Sequence, residues 1–186
     1  MRFCELPADG DVKHMLVTAL RPKRPEAFRQ AIESMSSDAS VQILDACLVA
    51  GFEHILTAAL LAANSLREGR NLARSPATEV ILYASARRQI KEAIAGIGVN
   101  EVSEGWVLIA LSGSKAKLEH LASTILQFGE EDDRLLEITE AKSKRIKEMF
   151  GITEEELKAT EQLLGTRTLA LKSLVMERVS ISELYR

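Results

Sequence analysis

The stretch GFEHILTAALLAANSLREGR, residues 51–70, contains the clearest helix of this 186-residue sequence. Apolar residues recur along it at alternating intervals of three and four, and they are Phe52, Ile55, Leu56, Ala59, Leu60, Ala63 and Leu66. That spacing places them on one face of a helix, which must pack against other elements of the fold. The helix is predicted to end near Gly69, a residue that suits a helix cap.

Four apolar stretches before and after this helix are predicted as strands. Two of them, residues 12–20 and 41–49, have the pattern of a strand with a buried face. The other two, residues 79–84 and 105–111, are continuously apolar, as strands covered on both faces are. Further helices are predicted over 26–35, over 89–95, from Ser114, from Thr153, where Glu156 completes a capping box, and over 168–179.

The order of these elements predicts one domain over residues 1–186 with an α/β (α+β) fold. Strands interleave with helices first, and a helical C-terminal third follows. We expect a small, mainly antiparallel or mixed sheet packed with several helices. Because aromatic residues make up only 4% of the chain, the core must consist of Leu, Ile, Val and Ala.

The net charge of -3 argues against an extensive nucleic-acid surface, since phosphate neutralisation requires a positive excess. It is compatible with a small, local one. The two cysteines, Cys4 and Cys47, form no disulfide or metal-binding pattern. The N-terminus has no signal-peptide core, and the longest apolar stretch, 55–63, is too short to span a bilayer. These features predict a cytoplasmic protein.

Residues that could carry catalysis do not form a recognisable set. His14, His54 and His120 have no metal-ligand spacing, so each is interpreted as a surface residue or a hydrogen-bonded interior one. The four acids at 130–133 are interpreted as a solvated run. No Ser/His/Asp or Cys/His arrangement has supporting context. We therefore expect no catalytic residues, no metal and no cofactor.

The turn Ser112-Gly113-Ser114-Lys115 is the one alternative for enzymatic chemistry. It follows a predicted strand and opens a helix, as phosphate-binding turns do. It is shorter than a nucleotide-binding loop, and an ordinary strand-to-helix turn with Ser114 as the N-cap also explains it. If it bound an anion, the chain would be a small stand-alone enzyme.

Basic residues are grouped on both sides of the stretch 79–84. They are Arg67, Arg70, Arg74, Arg87, Arg88 and Lys91. A compact fold could bring these six cations together around the predicted strand, where they are candidates for RNA contacts. A solvated charged rim is the alternative.

The last predicted helix carries apolar residues on more than one face. Leu171, Leu174 and Val175 share one face, whereas Leu169 and Met176 lie on another. A helix with two apolar faces near a chain end usually covers a core on one side and a partner on the other. Intramolecular packing of both faces, or a homo-oligomer formed through this helix, are the alternatives.

The run ARSPATEVILYASARRQIKEAI, residues 73–94, resembles the signature of the kinase-binding small subunit of the KEOPS complex, the PRPK-binding protein family. Members have an E-[IV]-L-x-Y strand, then R-Q-I-x-x-A-I and a Gly-hydrophobic pair, found here at 79–83, 88–94 and 98–99. His54, Asn64 and the segment 176–184 also resemble the family. Ala86 departs from it, because many members have glycine there.

The resemblance implies a non-catalytic accessory subunit. KEOPS makes the threonylcarbamoyl modification of adenosine in tRNA, with the chemistry in its transferase subunit and an atypical small kinase acting as an ATPase. The family member docks on that kinase, for which Leu169, Lys172 and Met176 are the candidate contacts, and meets the transferase only indirectly. In archaeal-like complexes it also helps to hold the single-stranded 3′ CCA end of tRNA, a role that a few arginines can fill.

Overall fold

Strand β4, Trp106–Ser112, lies at the centre of the sheet in the computed structural model, which describes residues 1–8 and 12–185. It pairs with β2, His14–Pro22, on one side and with β3, Ser40–Asp45, on the other. β1, Arg2–Glu5, and β5, Gly129–Glu131, pair with the two ends of β2 along its other edge. All of these pairs are antiparallel, which confirms the predicted α+β class.

Helices cover both faces of this sheet. Their bounds are α1 Pro25–Ser34, α2 Phe52–Arg67, α3 Pro76–Ala84, α4 Ile90–Ile97, α5 Lys115–Ile125, α6 Glu140–Phe150, α7 Glu154–Leu164 and α8 Arg167–Ile181. The last three of these helices form the predicted helical C-terminal third. The capping box that begins α7 is present, with Glu156 N donating to Thr153 Oγ1 and Thr153 N donating to the Glu156 carboxylate.

The side chains of β4 alternate between two cores. Val107, Ile109 and Leu111 face a layer formed by α2, α3, α4, α6, α7 and α8. Trp106, Leu108 and Ala110 face α1 and α5. Because helices bury both faces, every residue of the strand is buried, and the prediction made from its continuous apolar run is confirmed.

The prediction of a strand over 79–84 is wrong, because these residues form most of helix α3. All of them are buried, between α2, the sheet and α8. A helix buried on every side has the same continuous apolar run as a buried strand, so periodicity cannot separate the two. The missed signal is Ser75-Pro76, since proline favours the first position of a helix.

One predicted strand is shorter in the structure, and two strands were not predicted. The strand predicted over 41–49 ends at Asp45, where the side chain accepts a hydrogen bond from Cys47 N and starts a 3-10 turn. β1 and β5 have no counterpart among the predicted strands. β5 includes Glu130 and Glu131, and the next residue, Asp132, is buried in an ion pair with Arg21. The acidic segment is therefore part of the sheet edge and not only a solvated run.

Helix α2 is fixed along its whole length. The residues on its buried face include Ala58, Ala59, Ala62 and Ala63, and these small side chains allow α3 and α8 to approach closely. Gly69, just after the helix, has a φ of +68°, so the predicted glycine cap is confirmed. The face of α8 that was predicted to close the core, Leu171, Leu174 and Val175, is buried.

Candidate functional site

Helix α3 divides the six predicted RNA contacts into two groups. Arg67, Arg70 and Arg74 lie near its N-terminal end, and Arg87, Arg88 and Lys91 follow its C-terminal end. The nine residues of α3 span about 14 Å. The length of α3 thus separates Arg74 from Arg87, whereas the Arg70 side chain reaches Glu183, which also contacts Tyr83 near the C-terminal end of that helix.

Two of the three arginines of the first group lie beside acidic side chains. Arg70 donates to Glu68, with 2.8 Å between Nε and Oε2, and also to Glu183. The hydrogen bonds that Arg70 donates, first to Glu68 and then to Glu183, raise its pKa. Arg67 lies 3.9 Å from Glu68. Within the part of the chain that the structure describes, Arg74 is the member of this group without an acidic partner.

The second group, by contrast, is exposed and unpaired. Arg87, Arg88 and Lys91 have no ion pair with any described acid. They follow a tight turn at Ala86, whose φ of +52° lies in the left-handed region. Glycine adopts that conformation without strain, which explains why glycine is expected there in the family that the sequence resembles. The alanine retains the turn and presents three free cations beside it.

The loop between α2 and α3, which carries Arg70 and Arg74, is organised by one buried carboxylate. Glu79 is fully buried and accepts hydrogen bonds from Leu72 N at 3.0 Å and from Ala73 N at 2.8 Å. Ser65 Oγ lies 3.5 Å from its other oxygen. Glu79 therefore holds the backbone of this loop in place, and it is also the first residue of the motif on which the resemblance depends.

The end of the chain is anchored to the same region. Glu183, just after α8, accepts hydrogen bonds from the Tyr83 hydroxyl and from the Arg70 guanidinium. Near the other end of α8, Lys172 pairs with Glu53 at the start of α2, with 3.1 Å between Nζ and Oε2. The helices α2 and α8 consequently run in the same direction and are fastened together at both ends.

The predicted kinase contacts on α8 have different exposures. Leu169 is 51% exposed, as expected of a residue that meets a partner. Met176 is half-buried, and the Lys172 ammonium forms an ion pair with Glu53. Leu163 and Leu164, which the sequence reasoning missed, are 84% and 43% exposed at the end of α7. The signal was available in this leucine doublet before Gly165, since neighbouring helical residues cannot both face the core.

The Ser112–Lys115 turn has its polar groups engaged internally. Ser112 Oγ donates to Asp38 O at 2.9 Å and accepts from Ser114 N at 3.3 Å. Ser114 is at the N-cap position of α5, as predicted, although its side chain makes no cap hydrogen bond. Lys115 pairs with Glu119, and Lys117 pairs with Asp38 beside a cleft of about 700 Å³. No unpaired lysine of this segment is left to attract an anion.

Two further buried polar side chains, Lys142 and Asp45, are also engaged in the fold. Lys142 donates to Leu135 O at 2.6 Å, and burial lowers its pKa to about 8. Asp45 accepts from Ser103 Oγ at 2.9 Å in addition to Cys47 N. Over residues 1–8 and 12–185, no three His, Cys, Asp or Glu side chains form a group that could hold a metal ion.

The exposed features described above are two groups of cations at the ends of α3 and an apolar corner between α7 and α8, formed by Leu163, Leu164 and Leu169. None of the described helices is long and apolar enough to cross a membrane. Such features are those of a protein that contacts partners through its exterior.

Comparison with known proteins identifies the family. The model of the kinase binding protein CGI-121 family matches residues 23–183. The Regulatory protein Cgi121 of Methanocaldococcus jannaschii is 35% identical over 113 residues, which is 60% of this chain and 70% of that protein. The chain belongs to the CGI-121 family of kinase-binding proteins.

Proposed function

We propose that this chain is the kinase-binding accessory subunit of a KEOPS complex and has no reaction of its own. In this role it docks on the small atypical kinase, reaches the threonylcarbamoyl transferase only through that kinase, and helps to recruit tRNA by its single-stranded 3′ CCA end. The observation that carries the proposal is membership in a kinase-binding family together with exposed leucines beside the start of α8.

The two proposed contacts are far enough apart to be made together. Lys172, one turn after Leu169, lies beside Glu53 at the N-terminal end of α2. Arg67 and Arg70 lie at the other end of that helix, whose sixteen residues span about 24 Å. A kinase docked near Leu169 therefore leaves Arg74 and its neighbours accessible to RNA.

Kinase binding is tested with purified cognate kinase and variants of α8. We expect Leu169→Glu to weaken capture by about tenfold or more, because a charge replaces an exposed apolar contact. Met176→Glu is expected to have a smaller effect, since that side chain is half-buried. Circular dichroism checks that the variants are folded. If the wild-type chain does not bind the kinase at all, the proposed function is wrong.

RNA binding is tested with a labelled single-stranded RNA ending in CCA, by fluorescence anisotropy. Arg88→Glu and Arg74→Glu probe the two cation groups, and each is expected to weaken binding by about three- to tenfold and to reduce the salt dependence. Lys158→Glu on α7 is the matched control, because it makes the same charge change at an exposed site away from both groups. Equal losses in all three variants would mean that only net charge matters and would contradict an RNA site.

A further inference from the structure

We infer that the kinase-docking surface is the corner between α7 and α8, formed by Leu163, Leu164 and Leu169, and that it fits a partner surface with an apolar anchor and a neighbouring acidic side chain. This inference rests on the proposed function and extends the proposed kinase contact to residues outside α8. It adds two leucines of α7 and one lysine of α6 to the contact.

Exposed leucines are concentrated at this corner. Eleven large apolar side chains are exposed among the described residues, and most of them are isolated or paired along the chain. Three fall within seven residues at this corner: Leu163, Leu164 and Leu169. Leucines grouped in this way on a surface mark a protein contact more strongly than scattered ones do.

The fold itself does not bury these three leucine side chains. Leu157 is the buried residue of α7, so this helix is already anchored to the core nearly two turns before its exposed leucines. Gly165, with a φ of +84°, ends α7, and Thr166 Oγ1 then accepts from Leu169 N to start α8. This short turn places the end of one helix beside the start of the next, which brings the three leucines to one corner.

Positively charged side chains lie in a cleft beside the corner. A cleft of about 730 Å³ between α6 and the starts of α7 and α8 is lined by Ile138, Ala141 and Leu171, with three cations at its edge. Lys147 and Arg167 both pair with Glu154. Lys144 forms no ion pair with an acid in the described part of the chain, although Glu140, one turn before it on α6, lines the same cleft. An acidic side chain of the partner would complete this arrangement.

A protein partner explains the corner better than a second copy of this chain does. A second copy would have to supply the acidic complement next to the same leucines, but Glu161, two residues before Leu163, is already paired with Arg167, and Glu154 is paired with both Lys147 and Arg167. Family membership independently requires a kinase-contacting surface. The kinase is therefore the occupant to which the corner is assigned.

The test measures the affinity for purified kinase by titration calorimetry. Leu163→Glu and Leu164→Glu are each expected to weaken binding by about tenfold or more. Leu126→Glu is the matched control, because Leu126 is 47% exposed at the end of α5, on the other side of the sheet, and its affinity should equal that of the wild type. Lys144→Glu is expected to weaken binding several-fold, and Lys144→Gln less.

Each of the other outcomes would contradict one defined part of the proposal. Wild-type affinity in both Leu163→Glu and Leu164→Glu, with loss in Leu169→Glu and Met176→Glu, would move the surface along α8 and leave the proposed function intact. Wild-type affinity in Lys144→Glu would remove the acidic complement. A wild-type dimer that Leu163→Glu dissociates with no change in kinase affinity, seen by light scattering, would make the corner a self-association surface. Failure of the wild-type chain to bind would instead refute the proposed function.

Discussion

Replacing Glu79 by alanine is expected to lower the free energy of unfolding by about 3–5 kcal/mol, because two backbone donors lose a charged acceptor. In the native fold Leu72 N and Ala73 N both donate to its Oε2, and the carboxylate is fully buried. Ala73 is only 2% exposed, so water can replace the acceptor of its N–H only if the loop between α2 and α3 opens. The loss is measured by urea denaturation, as a lower midpoint with the same slope.

Glu79→Gln is the informative control for this prediction. Its amide oxygen can accept from the same two N–H groups, and its amide nitrogen can donate to Ser65 Oγ, so most of the geometry is retained. We expect a loss of about 1 kcal/mol, the difference between a charged and a neutral acceptor. Equal stability of the alanine and glutamine variants would mean that Glu79 does not organise the loop. Hydrogen exchange at Leu72 and Ala73 should accelerate in the alanine variant only.

A second large effect is expected from acid, through His54. Its ring is buried, with Nδ1 accepting from Ala50 N at 3.1 Å and Nε2 placed 2.8 Å from Ala84 O, and it packs against Phe150 of α6. Burial lowers the pKa of His54 to about 4, while the hydrogen bond to Ala84 O opposes that change and the positive charge of Lys142 adds to it.

The sign of the effect follows from the two pKa values of His54. The unfolded chain takes up a proton near pH 6.5, whereas the folded chain does so only near pH 4. Its contribution to stability is complete above pH 6.5 and is lost as the pH falls to about 4, by up to about 3 kcal/mol. The free energy of unfolding should therefore decrease steadily through this window.

His54→Gln isolates that contribution from the carboxylates that titrate at lower pH. Glutamine can still donate to Ala84 O but leaves Ala50 N without an acceptor, so the variant should lose about 1–2 kcal/mol at pH 7. Its stability should then change much less than that of the wild type between pH 6.5 and 4.5. His120→Gln makes the same substitution at an exposed position of α5 and should retain the wild-type dependence. An unchanged pH dependence in His54→Gln would refute the assignment.

The sequence predicted those parts of the fold whose local pattern of residues is compatible with only one type of secondary structure. The capping box of α7 and the buried face of α8 are of this kind. The stripe predicted for α2 is correct only at Ile55, Ala59 and Ala63, because the buried face of this helix also includes Ala58 and Ala62 and leaves Phe52, Leu56, Leu60 and Leu66 half-buried. The apolar run of β4 has two solutions, and the interpretation as a strand happened to be correct. The same reasoning failed for α3, where burial on all sides removed the periodicity that would have shown a helix.

The candidate surfaces were less predictable, because they depend on which elements become neighbours. The six cations seemed close together along the chain, but the length of α3 separates Arg74 from Arg87. The hydrogen bond that Arg70 donates to Glu183 joins residues 113 positions apart, and no local sequence pattern indicates it. Leu169 was found because it departs from the stripe of its own helix, whereas Leu163 and Leu164 belong to the preceding one.

Helix α2 is held against α3 and α8 by its buried alanines, and the contacts of Lys172 and Glu183 join α8 to both of its ends. Contacts along the length and at both ends oppose bending of this helix pair. Under the proposed function, the pair would act as a spacer whose length, and not an internal change of shape, sets the position of an RNA end relative to the kinase.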